Sequence, residues 1–343
     1  MKRMRSLAAA FAMLVVAALA LTAWTGLAGA SSKKTSITGA GSTFVAPLVT
    51  QWIQHYGSAD INYSGVGSGA GIAQISARTV DFGASDAPMT RDQASGCHGC
   101  VQIPWAFSAT SIPYNVSGVG YGLKLTGPIL AQIYLGKITK WNDRRIKSIN
   151  KGVNLPNENI VPIYRSDASG TSFNFTDYLS KVSKQFKSAI GKGTQPPFKV
   201  GVGARGSSGV AAKLGSTPGG ITYVDIAYAY KFHYKIAKVR NAAGNFVLPT
   251  VKSLKAVADR VTKVPKNNAV SVVNPPKSVK KGYPICTFTW VIVPLQTSKA
   301  PDLKKFIDWA VTTGQQYGQP LLFLKLPKAV VKAARKTTAR LHT

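Results

Sequence analysis

With 343 residues, 45% of them hydrophobic and 9% aromatic, the chain exceeds one typical domain and can fill two medium-sized lobes with separate cores. No repeat of fixed period and no long low-complexity tract runs through it, so repeat architectures and extended disorder are excluded. The formal net charge is +31, from 43 Lys and Arg against 12 acids, and Glu158 is the single glutamate among those acids.

Lys2, Arg3 and Arg5 precede an apolar run over residues 7–21, and Ala28-Gly29-Ala30 offers a small-x-small cleavage site. Residues 1–30 therefore read as a signal peptide and the mature chain as exported. The run is long enough to leave an uncleaved membrane anchor open as an alternative. No cysteine lies near the cleavage site, which argues against a lipoprotein.

Three glycine-rich or hydroxyl-rich turns then feed helical patterns. Gly39-Ala40-Gly41-Ser42-Thr43-Phe44 is followed by Leu48, Val49, Trp52, Ile53 and Tyr56 on one helical face. Gly65-Val66-Gly67-Ser68-Gly69-Ala70-Gly71 is followed by Ile72 and Ile75. Between the second turn and the third, residues 80–85 read as a short strand whose exit presents Asp86. Cys97-His98-Gly99-Cys100 has the spacing of a metal half-site or redox dithiol, but no second C-x-x-C or His pair completes it. In an oxidising compartment a local disulfide is the favoured reading, and Cys286 reads as a buried free thiol.

The third turn, Arg165-Ser166-Asp167-Ala168-Ser169-Gly170-Thr171-Ser172-Phe173, leads into apolar positions Phe175, Tyr178, Leu179, Val182 and Phe186. A helix start leaves backbone N–H groups unpaired and favours negative charge. Gly170 lets an anion approach the main chain, Ser169 and Thr171 add hydroxyls, and Arg165 supplies a planar fork that Asp167 can orient. The pattern suits a small tetrahedral anion. An ordinary N-cap explains this segment alone equally well; the recurrence of such turns favours the site. Asp86 fits an anion that carries a proton, because a carboxylate accepts an O–H yet repels a fully deprotonated sulfate. A turn or helix cap is its plain alternative.

Further along, Gly201-Val202-Gly203-Ala204-Arg205-Gly206 matches G-x-G-x-x-G, but residues 196–200 make a poor opening strand, so it reads as a surface loop before a helix over 210–214. Residues 241–268 are polar with little clear period. Leu303, Phe306, Ile307 and Ala310 form an amphipathic face, and residues 329–341 read as a basic helix that packs on the surface or frays. Short apolar segments at 37–39, 61–63, 160–164, 221–224 and 285–293 alternate with helices, which predicts an α/β class. Apolar strands near 103–114 and 283–294 are placed to cross between lobes. One lobe would then combine 31–109 with 284–343, and the other would hold 110–283.

The segments GAGSTF, GVGSGAG, VDFGASDAP, IYLGKITKW and RSDASGTSF, in this order, resemble the periplasmic phosphate-binding protein of the ABC phosphate importer, from about Ile37 to about Leu326. The resemblance implies a two-lobed periplasmic-binding-protein-like fold with a ligand cleft between the lobes. It implies phosphate ligation by Thr43, the Phe44 N–H, Ser68, Asp86, Arg165, Ser169, the Gly170 N–H and Thr171, with Asp167 paired to the arginine. Ser42 and Val45 stand where related chains often carry Ala and Pro, a difference expected to leave the ligand donors unaffected. Inorganic phosphate as ligand, the membrane permease subunits as partner, a monomeric state and no cofactor follow from the same resemblance.

Without the three leader cations the charge falls from +31 to +28. Dispersed cations could steer phosphate, hold the protein on an acidic polymer or lipid surface, or reflect a shortage of carboxylates suited to an acidic exterior; the last is favoured. The charge is spread out and no zinc-finger or RNA-recognition signature accompanies it, so no nucleic acid is expected. No Walker A sequence, G-x-S-x-G elbow or grouped histidines support an enzyme or a bound metal. Capture without turnover is the reading. An exported phosphatase-like enzyme using the same pocket, or a polyanion-binding surface protein, is the alternative.

Overall fold

Glycine turns, helix caps and β-branched runs sort the chain into three sheets in the computed structural model, which describes residues 34–343. The leader expected over 1–30, and its cleavage or anchoring, lie outside the described residues. The first sheet runs, in spatial order, Val224–Asp225, Cys100–Ser111, Cys286–Pro294, Phe82–Ser85, Ser36–Gly41 and Asp60–Gly65. The second runs Lys235–Ile236, Pro113–Asn115, Gly220–Ile221, Val161–Arg165 and Val202–Ala204. A small third sheet joins Phe246–Val247, Lys238–Arg240 and Lys124–Leu125.

Ser36–Gly41 pairs in parallel with both Asp60–Gly65 and Phe82–Ser85. Parallel neighbours need crossovers, and the helices Ala46–His55 and Ser68–Ser76 supply them. Such a layout gathers the strand exits and the following helix starts along one edge, where α/β folds bind ligands. Pro47 in the first turn of Ala46–His55 loses no hydrogen bond there. Gly71 packs against the strand backbone, where an added Cβ would lie 2.4 Å from the Gly41 Cα and 2.6 Å from the Ala40 carbonyl oxygen.

Behind this edge, Trp52, Phe82, Trp105 and Phe306 meet at ring-centroid distances of 5.1 to 6.5 Å. The Trp52 Nε1–H donates to the Gly314 carbonyl at 2.8 Å, whereas the buried Nε1–H of Trp105 has no hydrogen-bond partner among the described residues. Beside the second sheet, Phe175 stacks on Tyr223 at 4.4 Å and Tyr134 meets Phe175 at 4.8 Å.

Cys100–Ser111 continues through Ile112 into Pro113–Asn115, passing from the first sheet to the second. The segment 221–224, expected as one strand, is two: Gly220–Ile221 belongs to the second sheet, and Val224–Asp225 pairs with Ser111 and Thr110 in the first. Thr222 and Tyr223 thus make a further passage between sheets. Pieces of two residues are too short to show a period in sequence.

Other segments also differ from expectation. Within 241–268 lies the helix Val251–Ala258, started by a Thr250/Ser253 capping box and burying Leu254, Val257 and Ala258. The helix expected over 210–214 spans Gly206–Gly215. Near the C-terminus, Lys328–Thr338 buries Val330, Ala334, Thr337 and Thr338, so it packs rather than frays. The end is tied down as the His342 N–H donates to Leu295 and its carbonyl accepts from Thr297. Among the described residues no helix is long and apolar enough to cross a membrane.

Candidate anion site

Four strand exits deliver the side chains. Ser36–Gly41 leads into Ser42, Thr43 and Phe44; Asp60–Gly65 leads through Gly67, at φ 101°, into the helix start at Ser68. Phe82–Ser85 ends directly before Asp86. Val161–Arg165 places Arg165 at its last position, and Ser169 caps the helix Gly170–Val182 by accepting the Ser172 N–H at 3.2 Å. All eight residues expected to bind the ligand are buried; Asp86 is 1% exposed and Arg165 4%.

The Ser68 hydroxyl links three of these exits. It accepts from the Gly170 N–H at 3.1 Å and the Asp86 N–H at 3.3 Å, and donates to Asp86 Oδ2 at 3.4 Å. The Gly69 N–H donates to the Ala168 carbonyl at 2.9 Å, a second tie between the same loops. Asn174 Nδ2 donates to the Asp86 carbonyl at 2.9 Å, and the Thr287 hydroxyl donates to Asn174 Oδ1 at 3.1 Å. The approach at Gly170 is close: an added Cβ would sit 2.7 Å from both the Asp86 nitrogen and its Cβ.

Arg165 is held by a two-point pair with Asp167, Nε to Oδ1 at 2.7 Å and Nη2 to Oδ2 at 2.5 Å. The Gly206 N–H donates to Asp167 Oδ1 at 3.0 Å. The Arg165 N–H donates to the Tyr223 hydroxyl at 3.2 Å, and that hydroxyl bonds the Ser172 hydroxyl at 2.7 Å. Thr171 Oγ1 is buried and has no hydrogen-bond partner among the described residues.

Burial pushes the Asp86 carboxyl up to about 7, against the Ser42 hydroxyl, the Arg165 charge and the Ser68 hydroxyl, which favour its anion. A carboxyl poised there can accept a ligand's proton near neutrality. Burial also raises Asp167, but the hydrogen bonds and charge of Arg165 outweigh it and hold the carboxyl below its ordinary value. Asp225 is driven well above the carboxylate range by burial, with the Asp86 charge adding to it despite the Ala227 N–H bond.

Two expectations need correction. Ser42 is not indifferent to the ligand donors: its hydroxyl donates to Asp86 Oδ1 at 2.5 Å and accepts the Phe44 N–H at 3.0 Å. The segment 201–206 is not a surface loop. It contributes the strand Val202–Ala204 and a fourth helix start, with the Ser207 hydroxyl 2.9 Å from that of Thr43 and the Ser207 N–H donating to Thr43 Oγ1 at 3.1 Å. Its glycines and serines before a helix carried the same signal as the other three turns.

Away from the site, Cys97 and Cys100 form a disulfide with an S–S distance of 2.02 Å, and Cys286 is a buried free thiol. Among the described residues no group of three or more His, Cys, Asp or Glu is arranged to hold a metal ion.

The profile of the PBP superfamily domain matches residues 28–313. The phosphate-binding protein PstS of Xylella fastidiosa is 39% identical over 309 residues, covering 88% of this chain and 84% of its own. The chain belongs to the PstS family of phosphate-binding proteins. A second PstS, from Haemophilus influenzae, is 36% identical over 307 residues and spans 88% of this chain and 91% of that one. Among solved structures, a high-affinity periplasmic phosphate-binding protein bound with phosphate superposes with a TM-score of 0.70 at 23% identity, over 88% of this chain and 93% of that one. That likeness is one of fold, the two-lobed α/β fold of periplasmic binding proteins. These PstS relatives are named for binding and not for catalysis.

Proposed function

We propose that the chain captures inorganic phosphate outside the cytoplasm and delivers it to the membrane subunits of an ABC importer. The observation that carries this reading is the convergence of buried donors from both large sheets on one acid, Asp86, and one guanidinium, Arg165. Phosphate would take hydroxyls from Thr43, Ser68, Ser169 and Thr171, main-chain N–H groups from Phe44 and Gly170, and charge from Arg165. Asp86 would accept the ligand's own proton, and Asp167 would hold the Arg165 fork in place. In the arrangement described, the Phe44 and Gly170 N–H groups bond Ser42 and Ser68, so ligand entry exchanges protein partners for phosphate oxygens. Residues 31–109 with 284–343, and 110–283, are taken as the lobes that close on it.

The names of the PstS relatives and the exported character of the sequence support an extracytoplasmic setting. Calorimetric titration of the purified chain with phosphate and then sulfate tests the reading. Tight phosphate binding with no sulfate heat is expected, and absence of phosphate binding would end it. A chromogenic phosphomonoester should yield no product.

A further inference from the structure

The shortage of carboxylates leaves several hollows lined by cations without acids, one of them with Lys252, Lys280 and Lys281, and the most extended of them uses none of the buried anion-site residues. A cavity of about 390 Å³ is bounded by Thr90 and Arg91, by Gln102 and by Lys266 and Arg340. A second hollow, of about 450 Å³, shares Lys266, Asn268, Thr337 and Arg340 with the first and adds Lys336. The two form one continuous groove along the C-terminal helix Lys328–Thr338. Arg91, Lys266, Lys336 and Arg340 are all exposed, and none has a carboxylate within 4.0 Å among the described residues.

The floor is built and held. Asn268 Nδ2 donates to the Gln102 carbonyl and to Thr337 Oγ1, each at 2.9 Å, while Trp290 Nε1 donates to the Asn268 carbonyl at 2.8 Å. Gln102 Nε2 donates to the Asn267 carbonyl at 2.9 Å, and its Oε1 accepts the Met89 N–H at 2.8 Å. Five stretches of chain, at Met89, Gln102, Asn267–Asn268, Trp290 and Thr337, are thereby locked beneath the cations, which fixes the groove's shape before any ligand arrives.

We propose that this groove binds a linear chain of phosphate anions. A single small ion is better served by the buried, converging donors around Arg165. Four exposed cations strung along two adjoining hollows instead match a ligand with repeated charge. At ordinary salt the Debye length is about 8 Å, so cations scattered elsewhere on the surface are largely screened and the local group dominates. The proposal stands apart from the phosphate-capture reading, since it uses none of those residues.

The probe is short-chain inorganic polyphosphate, titrated into the full chain at moderate salt with orthophosphate already saturating. Binding is expected to persist under those conditions; displacement by orthophosphate would place the polymer in the cleft and overturn the proposal. A Lys266→Gln/Arg340→Gln double variant should bind polyphosphate at least tenfold more weakly, with a shallower salt dependence. A charge-matched control, Lys147→Gln/Lys187→Gln, should change it less than twofold. Equal losses in the two variants would mean diffuse attraction and no groove. A glycerol-phosphate polymer in a parallel arm tells whether the chain's source is a soluble polyphosphate or a phosphodiester polymer; binding by neither refutes the assignment. Anionic phospholipid vesicles binding where both polymers fail would assign the surface to a membrane and refute it equally.

Discussion

Replacing Gly170 with alanine tests whether the helix start and Asp86 must meet for phosphate to be held. The added Cβ would lie 2.7 Å from the Asp86 nitrogen and Cβ and 2.8 Å from the Ala87 nitrogen. Carbon contacts are comfortable at about 3.5 Å or more, so the two loops must part by roughly 0.8 Å. Backbone atoms cannot rotate aside as a side chain end could. The Gly170 N–H bond to Ser68, now 3.1 Å, marks how close the two sides come. Parting them deprives a bound anion of donors on one side, and two charge-assisted bonds are worth roughly 3–6 kcal/mol. Phosphate affinity should therefore fall at least a hundredfold, about 2.7 kcal/mol. Gly170 is not among the glycines with positive φ, so alanine suits the helix itself and the ligand-free melting temperature should stay within a few degrees. Calorimetry with phosphate, beside a thermal melt, reads both. Gly57→Ala, where nothing lies within 4 Å, is the control. Affinity within threefold of the parent chain would refute the closed contact as a condition of binding.

Asp86→Asn exchanges an acceptor for a group that can also donate, so competition titration should show sulfate entering and the phosphate-over-sulfate ratio falling at least tenfold; an unchanged ratio counts against proton reading by Asp86. Ser42→Ala removes a donor from the Asp86 anion, which should move the pH midpoint of phosphate binding up by about one pH unit, read from affinities across pH 5–9; no movement would detach Ser42 from the acid. Asp86, at about 7, and Asp225, well above the ordinary range, hold protons in the native state that the unfolded chain releases above about pH 4. The Asp86 contribution is fully present below that pH and is lost as pH rises through 7, and the Asp225 contribution has the same sign and is lost only on the alkaline side of the ordinary carboxylate range. Asp143, lowered to about 2 by Arg145, and Asp167, lowered by Arg165, act oppositely, and their contributions are lost as pH falls below about 4. Ligand-free melting should hold level or rise from pH 7 to 4 and decline only below about pH 3, whereas acid unfolding near pH 5 would contradict this.

The three expected turns were legible because each is local: small residues followed at once by apolar helical spacing. Asp86 was legible because a short apolar run ends at it. Contacts between turns were not, since Ser42 meets Asp86 across 44 residues and Thr43 meets Ser207 across 164. No spacing rule links positions that only tertiary packing brings together. The Gly201–Gly206 stretch shows a different failure. Its match to G-x-G-x-x-G masks a simpler feature, the glycine and serine before a helix that mark the other turns. Val251–Ala258 escaped because its start rests on a two-hydroxyl capping box and its buried face on only three apolar residues, Leu254, Val257 and Ala258.

The link through Thr222 and Tyr223 bears on how such a molecule can move. Two bodies joined by a pair of strands swing about the line between the joints and can also twist around it. A further strand of attachment stiffens the twist and leaves the swing as the softest motion. In the proposed closure of two lobes, the Tyr223 hydroxyl, which bonds both the Arg165 main chain and Ser172, would carry rotation of that strap directly to the place where the anion would sit.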